Sequence, residues 1–149
     1  MEETKPVTMY HTCLTQSRAD RALRVVIARQ LEKFNVTMME WLLMGVVCHG
    51  PKQGITMSDA AATLDVTLPQ VTALTAGLTK AKLLKQKISR QDRRSRRLVC
   101  TQAGKQLLDE TETSANDALK EWLSDVPEDQ LQAYLNTIEI LASKKSQDV

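Results

Sequence analysis

The chain of 149 residues has few aromatics, glycines or prolines: aromatics are 3% (Tyr10, Phe34, Trp41, Trp122, Tyr134), with 5 Gly and 4 Pro. That scarcity of turn-formers predicts a helix-rich protein. No long apolar run exists. The longest, Trp41 to Cys48, is far too short to span a bilayer. The N-terminus lacks a basic start followed by an apolar stretch, so no secretory signal is expected. Cysteines are three and widely spaced (Cys13, Cys48, Cys100). An odd number without metal-ligand spacing suits a reducing cytosol, and Cys48 and Cys100, at apolar positions, read as core. His11 and His49 are too few and too far apart for a metal site. No glycine-rich phosphate loop, Ser-His-Asp set or paired-carboxylate arrangement is present, so neither an enzyme nor a cofactor is expected. Hydrophobic residues at 42% and charged residues at 26% are the balance of a soluble globular chain, and the length suits one domain.

Charge is present in both signs, but it is segregated. Between Lys85 and Arg97 stand seven cations (Lys85, Lys87, Arg90, Arg93, Arg94, Arg96, Arg97) against Asp92, a local +6 in a chain whose total is +2. The remainder is therefore −4, and Asp109 to Asp129 holds eight acids against Lys120 alone. A basic run is commonly a solvated loop. Segregation this sharp points instead to a polyanion for one face.

Helices bounded by caps account for the rest. Leu23, Val26, Ile27, Leu31 and Phe34 recur at helical spacing and predict a helix from about Ser17 to Asn35, preceded by a polar arm or a frayed helix start over residues 1–16. Thr37 and Glu40 form a capping box for an apolar helix that ends before His49-Gly50-Pro51. Ile55 adds a short strand. Thr56-Met57-Ser58-Asp59 opens a short helix to Leu64, Asp65-Val66 turns, and Thr67-x-x-Gln70, with Pro69 in the first turn, opens another to about Lys82. This second helix buries Val71, Leu74 and Leu78. Two short helices joined by a tight turn are a helix-turn-helix, whose second member can enter the major groove. Leu83 to Ile88 and Arg96 to Cys100, around a polar turn, read as a β-hairpin. The basic run thus becomes a wing that can reach phosphates or a minor groove beside the recognition helix.

The last third is helical again. One stripe runs Leu107, Leu108, Thr111, Ala115, Ala118, Leu119 and Trp122; Asp125-Val126-Pro127-Glu128 then caps a helix with Leu131, Tyr134, Leu135, Ile138 and Leu141 inward. Such terminal helices either complete one core or form a dimer interface, and dimerisation is the stronger expectation for a reader of two half-sites. The expected fold is mostly α with a small β-hairpin wing: a winged helix-turn-helix (37–103) flanked by dimerisation helices (1–36 and 104–149).

Residues 56–104 resemble the winged-helix segment of MarR-type transcription regulators. The likeness runs from Thr56 through Ala61, Leu64 to Thr67, Val71 to Leu74 and Leu83-Leu84, and above all Asp92-Arg93-Arg94-Ser95-Arg96-Arg97-Leu98-Val99-Cys100-Thr101-Gln102-Ala103-Gly104, a D-x-R wing running into a helix start. The resemblance implies a cytoplasmic homodimer on a palindromic operator, a repressor released by a small aromatic or phenolic ligand or by an oxidant. It places Arg94 in the minor groove with Asp92 orienting it. Thr67 then caps the recognition helix, and Leu68, Pro69, Gln70, Thr72 and Ala73 face the groove. Ala73 stands where the family often has arginine, and the helix carries no cation before Lys80. Bidentate guanine reading from the helix is thus not expected. Gln70 can pair with adenine, and Leu68 or Thr72 can touch thymine methyls, which favours an A·T-rich site held mainly by Lys87, Arg90, Arg93, Arg94, Arg96 and Arg97. Gly77, and Lys82 at a position where glycine is common, each weaken the helix by about 1 kcal/mol or less. Cys13 lies near where peroxide-sensing members keep a reactive thiol, with Tyr10 and His11 beside it; an unreactive thiol in a loose arm is the plainer reading.

Three functions fit: a dimeric sequence-specific regulator of double-stranded DNA, a low-specificity DNA-binding protein that antagonises nucleoid proteins, or a winged helix that docks on an acidic protein. Redox response through Cys13 is a variant of the first.

Overall fold

Threonine starts five of the six helices found among residues 7–92 and 95–144, the residues that the computed structural model describes. These are α1 (Met9–Glu32), α2 (Met38–Cys48), α3 (Met57–Leu64), α4 (Leu68–Lys80) and α5 (Gln102–Trp122), and α6 (Glu128–Ser143) follows. The hydroxyls of Thr8, Thr37, Thr56, Thr67 and Thr101 each accept from the amide three residues on, at 3.0–3.4 Å. Glu40 and Gln70 return the bond to the backbone amides of Thr37 and Thr67, both at 2.9 Å, completing the two expected capping boxes. The cap expected before α6 is different: Pro127 stands at its N-cap, and no side chain bonds the first turn.

Helix ends are equally local. After α1, α3 and α4 the chain turns through Asn35, Asp65 and Lys82 at φ of 55°, 54° and 60°. Amides of Val36, Val66 and Leu83 then reach back to the carbonyls of Leu31, Ala61 and Leu78. This is the Schellman closure, made here without glycine. Lys82 carries the backbone conformation that its position predicted to be costly.

β1 (Ile55–Thr56), β2 (Leu84–Ile88) and β3 (Arg96–Cys100) form an antiparallel sheet in the order β1-β3-β2. Ile55 faces Leu98, and Leu84, Gln86 and Ile88 face Cys100, Leu98 and Arg96. Gly54, at φ +95°, lets the preceding turn lie against β3; a Cβ there would sit 2.6 Å from the Leu98 carbonyl oxygen. The core joins Leu43, Met44 and Val47 of α2 to Ala60 and Ala61 of α3, Val71 and Leu78 of α4, Leu84 and Leu98 of the sheet, and Leu108 of α5.

Four expectations are corrected. α1 begins at Met9 rather than Ser17. Its first turns bury nothing, so hydrophobic periodicity had nothing to register there. Thr75, fully buried, takes the inward position on α4 expected of Leu74, which is half-buried. No residue of α6 is buried, and Tyr134, Leu135 and Leu141 are 42–49% exposed. Cys48 and Cys100, expected to be separate core thiols, are joined in a disulfide with their Cα atoms 5.1 Å apart. Fifty-two residues separate them in sequence; only the packing of the end of α2 against β3 brings them together.

Candidate nucleic-acid interface

α4 presents Leu68, Pro69, Gln70, Thr72 and Ala73 outward beside its exposed cap residue, Thr67. Val71, Thr75 and Leu78 hold its other side in the core. The helix is thus anchored on one face and open on the other. Two of the outward groups are committed locally. The Gln70 side-chain oxygen accepts from both the amide and the hydroxyl of Thr67, at 2.9 and 3.0 Å. The Thr72 hydroxyl donates to the Leu68 carbonyl at 2.9 Å, which leaves its methyl as the more available contact. The face that remains is small and largely apolar, with Lys80 only in the last turn.

The wing supplies the charge. Cross-strand partners share a face of a sheet, so Ile88, Arg96 and Leu98 lie on the side that packs on the helices, and Lys85, Lys87, Arg97 and Val99 on the other. Arg96 accordingly lines a cleft of about 390 Å³ with Leu68 and Thr72 of α4 and Met57 and Ser58 of α3. This cleft is the junction of α4 and the wing. Across the sheet, Lys87, Arg90 and Arg97 line a second hollow of about 640 Å³ with Gln53 and Ser89. Lys85, Lys87, Arg90 and Arg96 are all exposed.

Arg97 differs from them. It is half-buried, and its guanidinium donates to the Gly54 carbonyl oxygen at 3.1 Å, tying β3 to the turn before β1. Sequence reasoning missed this strut and also Ser89. The Ser89 hydroxyl accepts from the amides of Gln91 and Asp92, and its own amide donates to the Ser95 carbonyl oxygen at 2.9 Å. A serine opening a polar turn was the available signal for this role. Arg93 and Arg94, including the expected minor-groove arginine, lie outside the described residues. Cys13 is a free, exposed thiol on α1, far along the chain from the wing and α4. Among the described residues no group of three or more His, Cys, Asp or Glu could hold a metal, and no helix is long and apolar enough to cross a membrane.

A short helix pair, a three-stranded sheet ending in a basic hairpin, and long helices before and after define a winged helix-turn-helix fold. Residues 34–95, from the α1–α2 connection to the wing turn, match the model of the MarR family. The whole chain has the fold of solved members of that family. A MarR-family transcriptional regulator from Rhodococcus sp. RHA1 superposes with a TM-score of 0.84 at 15% identity, covering 95% of this chain and 100% of that one. Sco3205, a MarR-family regulator from Streptomyces coelicolor solved in complex with DNA, gives 0.78 at 19% identity over 99% and 96% of the two chains. CouR from Rhodococcus jostii RHA1, bound to p-coumaroyl-CoA, gives 0.77 at 18% identity over 87% and 90%. No curated protein sequence matches the chain.

Proposed function

We propose that the protein is a homodimeric transcriptional regulator, a repressor, that binds a palindromic, A·T-rich operator in double-stranded DNA. Residues 67–82 read the major groove and residues 85–97 hold phosphates and the adjacent minor groove. The observation that carries the reading is the cleft where Arg96 of the wing meets Leu68 and Thr72 of α4. It sets a cationic group beside an apolar, groove-sized helix face, the division of labour between positioning and reading that DNA requires.

α6 supports the dimer. A helix of 16 residues with no residue fully buried in its own chain, only Leu131 and Ile138 being half-buried, has little to hold it in water. The exposed Tyr134, Leu135, Ile140 and Leu141, with Met9, Tyr10 and Leu14 of α1, supply apolar surface for a second copy. In this reading 1–36 and 104–149 are the dimerisation segments, and a small aromatic or phenolic effector acts at their junction with 37–103. CouR, solved with p-coumaroyl-CoA, supports an effector of that chemistry. Binding and regulation, rather than catalysis, are the function, and the protein works in the cytoplasm on the nucleoid.

Selection of bound duplexes from a randomised pool tests the proposal: an enriched palindrome with A·T-rich half-sites is the expected result. A second reading, low-specificity DNA binding that displaces nucleoid proteins, is favoured by the recognition face itself, whose only cation is the last-turn Lys80. It predicts binding without enrichment. No binding at all would overturn both.

A further inference from the structure

The Cys48–Cys100 disulfide lies where three parts of the molecule meet. Cys48 is the last residue of α2, Cys100 is the last residue of β3, and α5 begins two residues later. At the same junction the Thr101 hydroxyl bonds the carbonyl oxygens of Lys82 and Leu83, at 2.7 and 2.9 Å. Gly104 packs so closely that a Cβ there would collide with the Leu83 carbonyl oxygen and stand 3.1 Å from the Cys100 sulfur. Neither cysteine is fully buried. Both line an open cleft of about 300 Å³ with Lys52, Lys105 and Pro51.

From this junction we infer that Cys48 and Cys100 form a reversible thiol–disulfide site that exchanges with low-molecular-weight disulfides and sets the wing's position relative to α2 and α5. The two sulfurs are not equivalent. Cys100 lies against Gly104 in the first turn of α5, a turn without acidic residues, while Lys52 and Lys105 line the cleft with both cysteines. The helix N-terminus favours a thiolate at Cys100. Cys48 ends a helix, where the dipole opposes negative charge. Cys100 is therefore the attacking group. Its thiolate, having released its proton to solvent, attacks one sulfur of RSSR. The S–S bond of RSSR breaks, and the other sulfur leaves with its R group as RS⁻ and takes up a proton, giving a Cys100–S–S–R mixed disulfide and RSH. Cys48 then loses its proton and attacks the Cys100 sulfur, expelling a second RSH. The protein dithiol is oxidised by two electrons and RSSR is reduced to two RSH. The 300 Å³ cleft gives the small disulfide its approach. Once closed, the bond holds the root of the wing to one geometry. This consequence rests on the DNA-binding reading above, and preorganisation then favours the oxidised form in binding.

The test uses the full chain carrying Cys13→Ala, equilibrated in glutathione and glutathione disulfide at varied ratio, then trapped and mapped by mass spectrometry. A Cys48–Cys100 cross-linked peptide that forms and disappears with the ratio is expected. A cross-link that never forms, or that reduced glutathione cannot open, overturns the site. With Cys48→Ser, Cys100 accumulates a glutathione adduct, and with Cys100→Ser, Cys48 stays unmodified; the reverse pattern overturns the assigned order. Should the serine variants fail to fold, the ratio titration decides the site alone. Duplex affinity of the oxidised form is expected to exceed that of the reduced form by about 5-fold or more, in the range of ordinary coupling between sites. Equal affinity removes the link to the wing. If neither form binds DNA, the DNA reading fails, and the thiol titration still decides the site.

Discussion

Replacing Lys87, Arg90 and Arg96 together by glutamine removes three exposed wing cations, one from the cleft against α4 and two from the hollow on the other side of the sheet. All three are exposed, so stability should change by no more than about 0.5 kcal/mol. The effect belongs to the salt dependence of binding. Each phosphate neutralised contributes about 0.9 to the slope of log K against log salt. Six charges removed from a dimer therefore flatten that slope by up to about 5. Between roughly 50 and 200 mM salt, a difference of that size means the wild type loses about three powers of ten more affinity than the variant. Fluorescence anisotropy of a labelled duplex across a sodium chloride series measures both slopes, with circular dichroism as the check on folding. Preference among duplex sequences should survive, because phosphate contacts position without specifying. A slope unchanged within about one unit, in a folded variant that still binds DNA, would refute the placement of DNA against the wing.

Other outcomes follow from single positions. Replacing Leu68 and Thr72 by alanine should leave the salt slope alone and erode discrimination between duplexes, read in the same assay; Gln70 is a poorer probe, since its side-chain oxygen caps α4. Thr75→Val should raise stability by about 1 kcal/mol in urea unfolding, because the Thr75 hydroxyl is buried without a hydrogen-bond partner; a loss of that size would mean that the hydroxyl is bonded. Lys82→Gly should add about 0.5–1 kcal/mol by relieving a side chain held at φ 60°. Deleting residues 125–149 should yield monomers or aggregates in sedimentation; a truncated protein that remains a dimer would move the interface away from α6.

Much of this architecture is written in short-range chemistry. The threonine caps at 37, 56 and 67, the Thr-x-x-Glu and Thr-x-x-Gln boxes, and the turns at Asp65 and Lys82 each act within a few residues, so their positions could be read directly. The wing was equally legible, because a basic turn between two β-capable segments declares itself by charge. The same local logic missed the first turns of α1 and promoted Leu74 over Thr75. An exposed helix start has no apolar stripe, and one apolar residue at the edge of a stripe cannot reveal how far the helix is rotated.

What the tertiary structure alone decided are relations across long separations. Arg97 and Gly54 meet because β1 joins the sheet beside β3 rather than β2. Cys48 meets Cys100 because α2 packs on the last strand. No residue of α6 is buried, because the core closes among α2, α3, α4, the sheet and α5. Caps and periodicity are properties of the nearest turn of backbone, and composition carries them. Pairings between residues some fifty positions apart depend on how finished elements stack, and no local pattern encodes that.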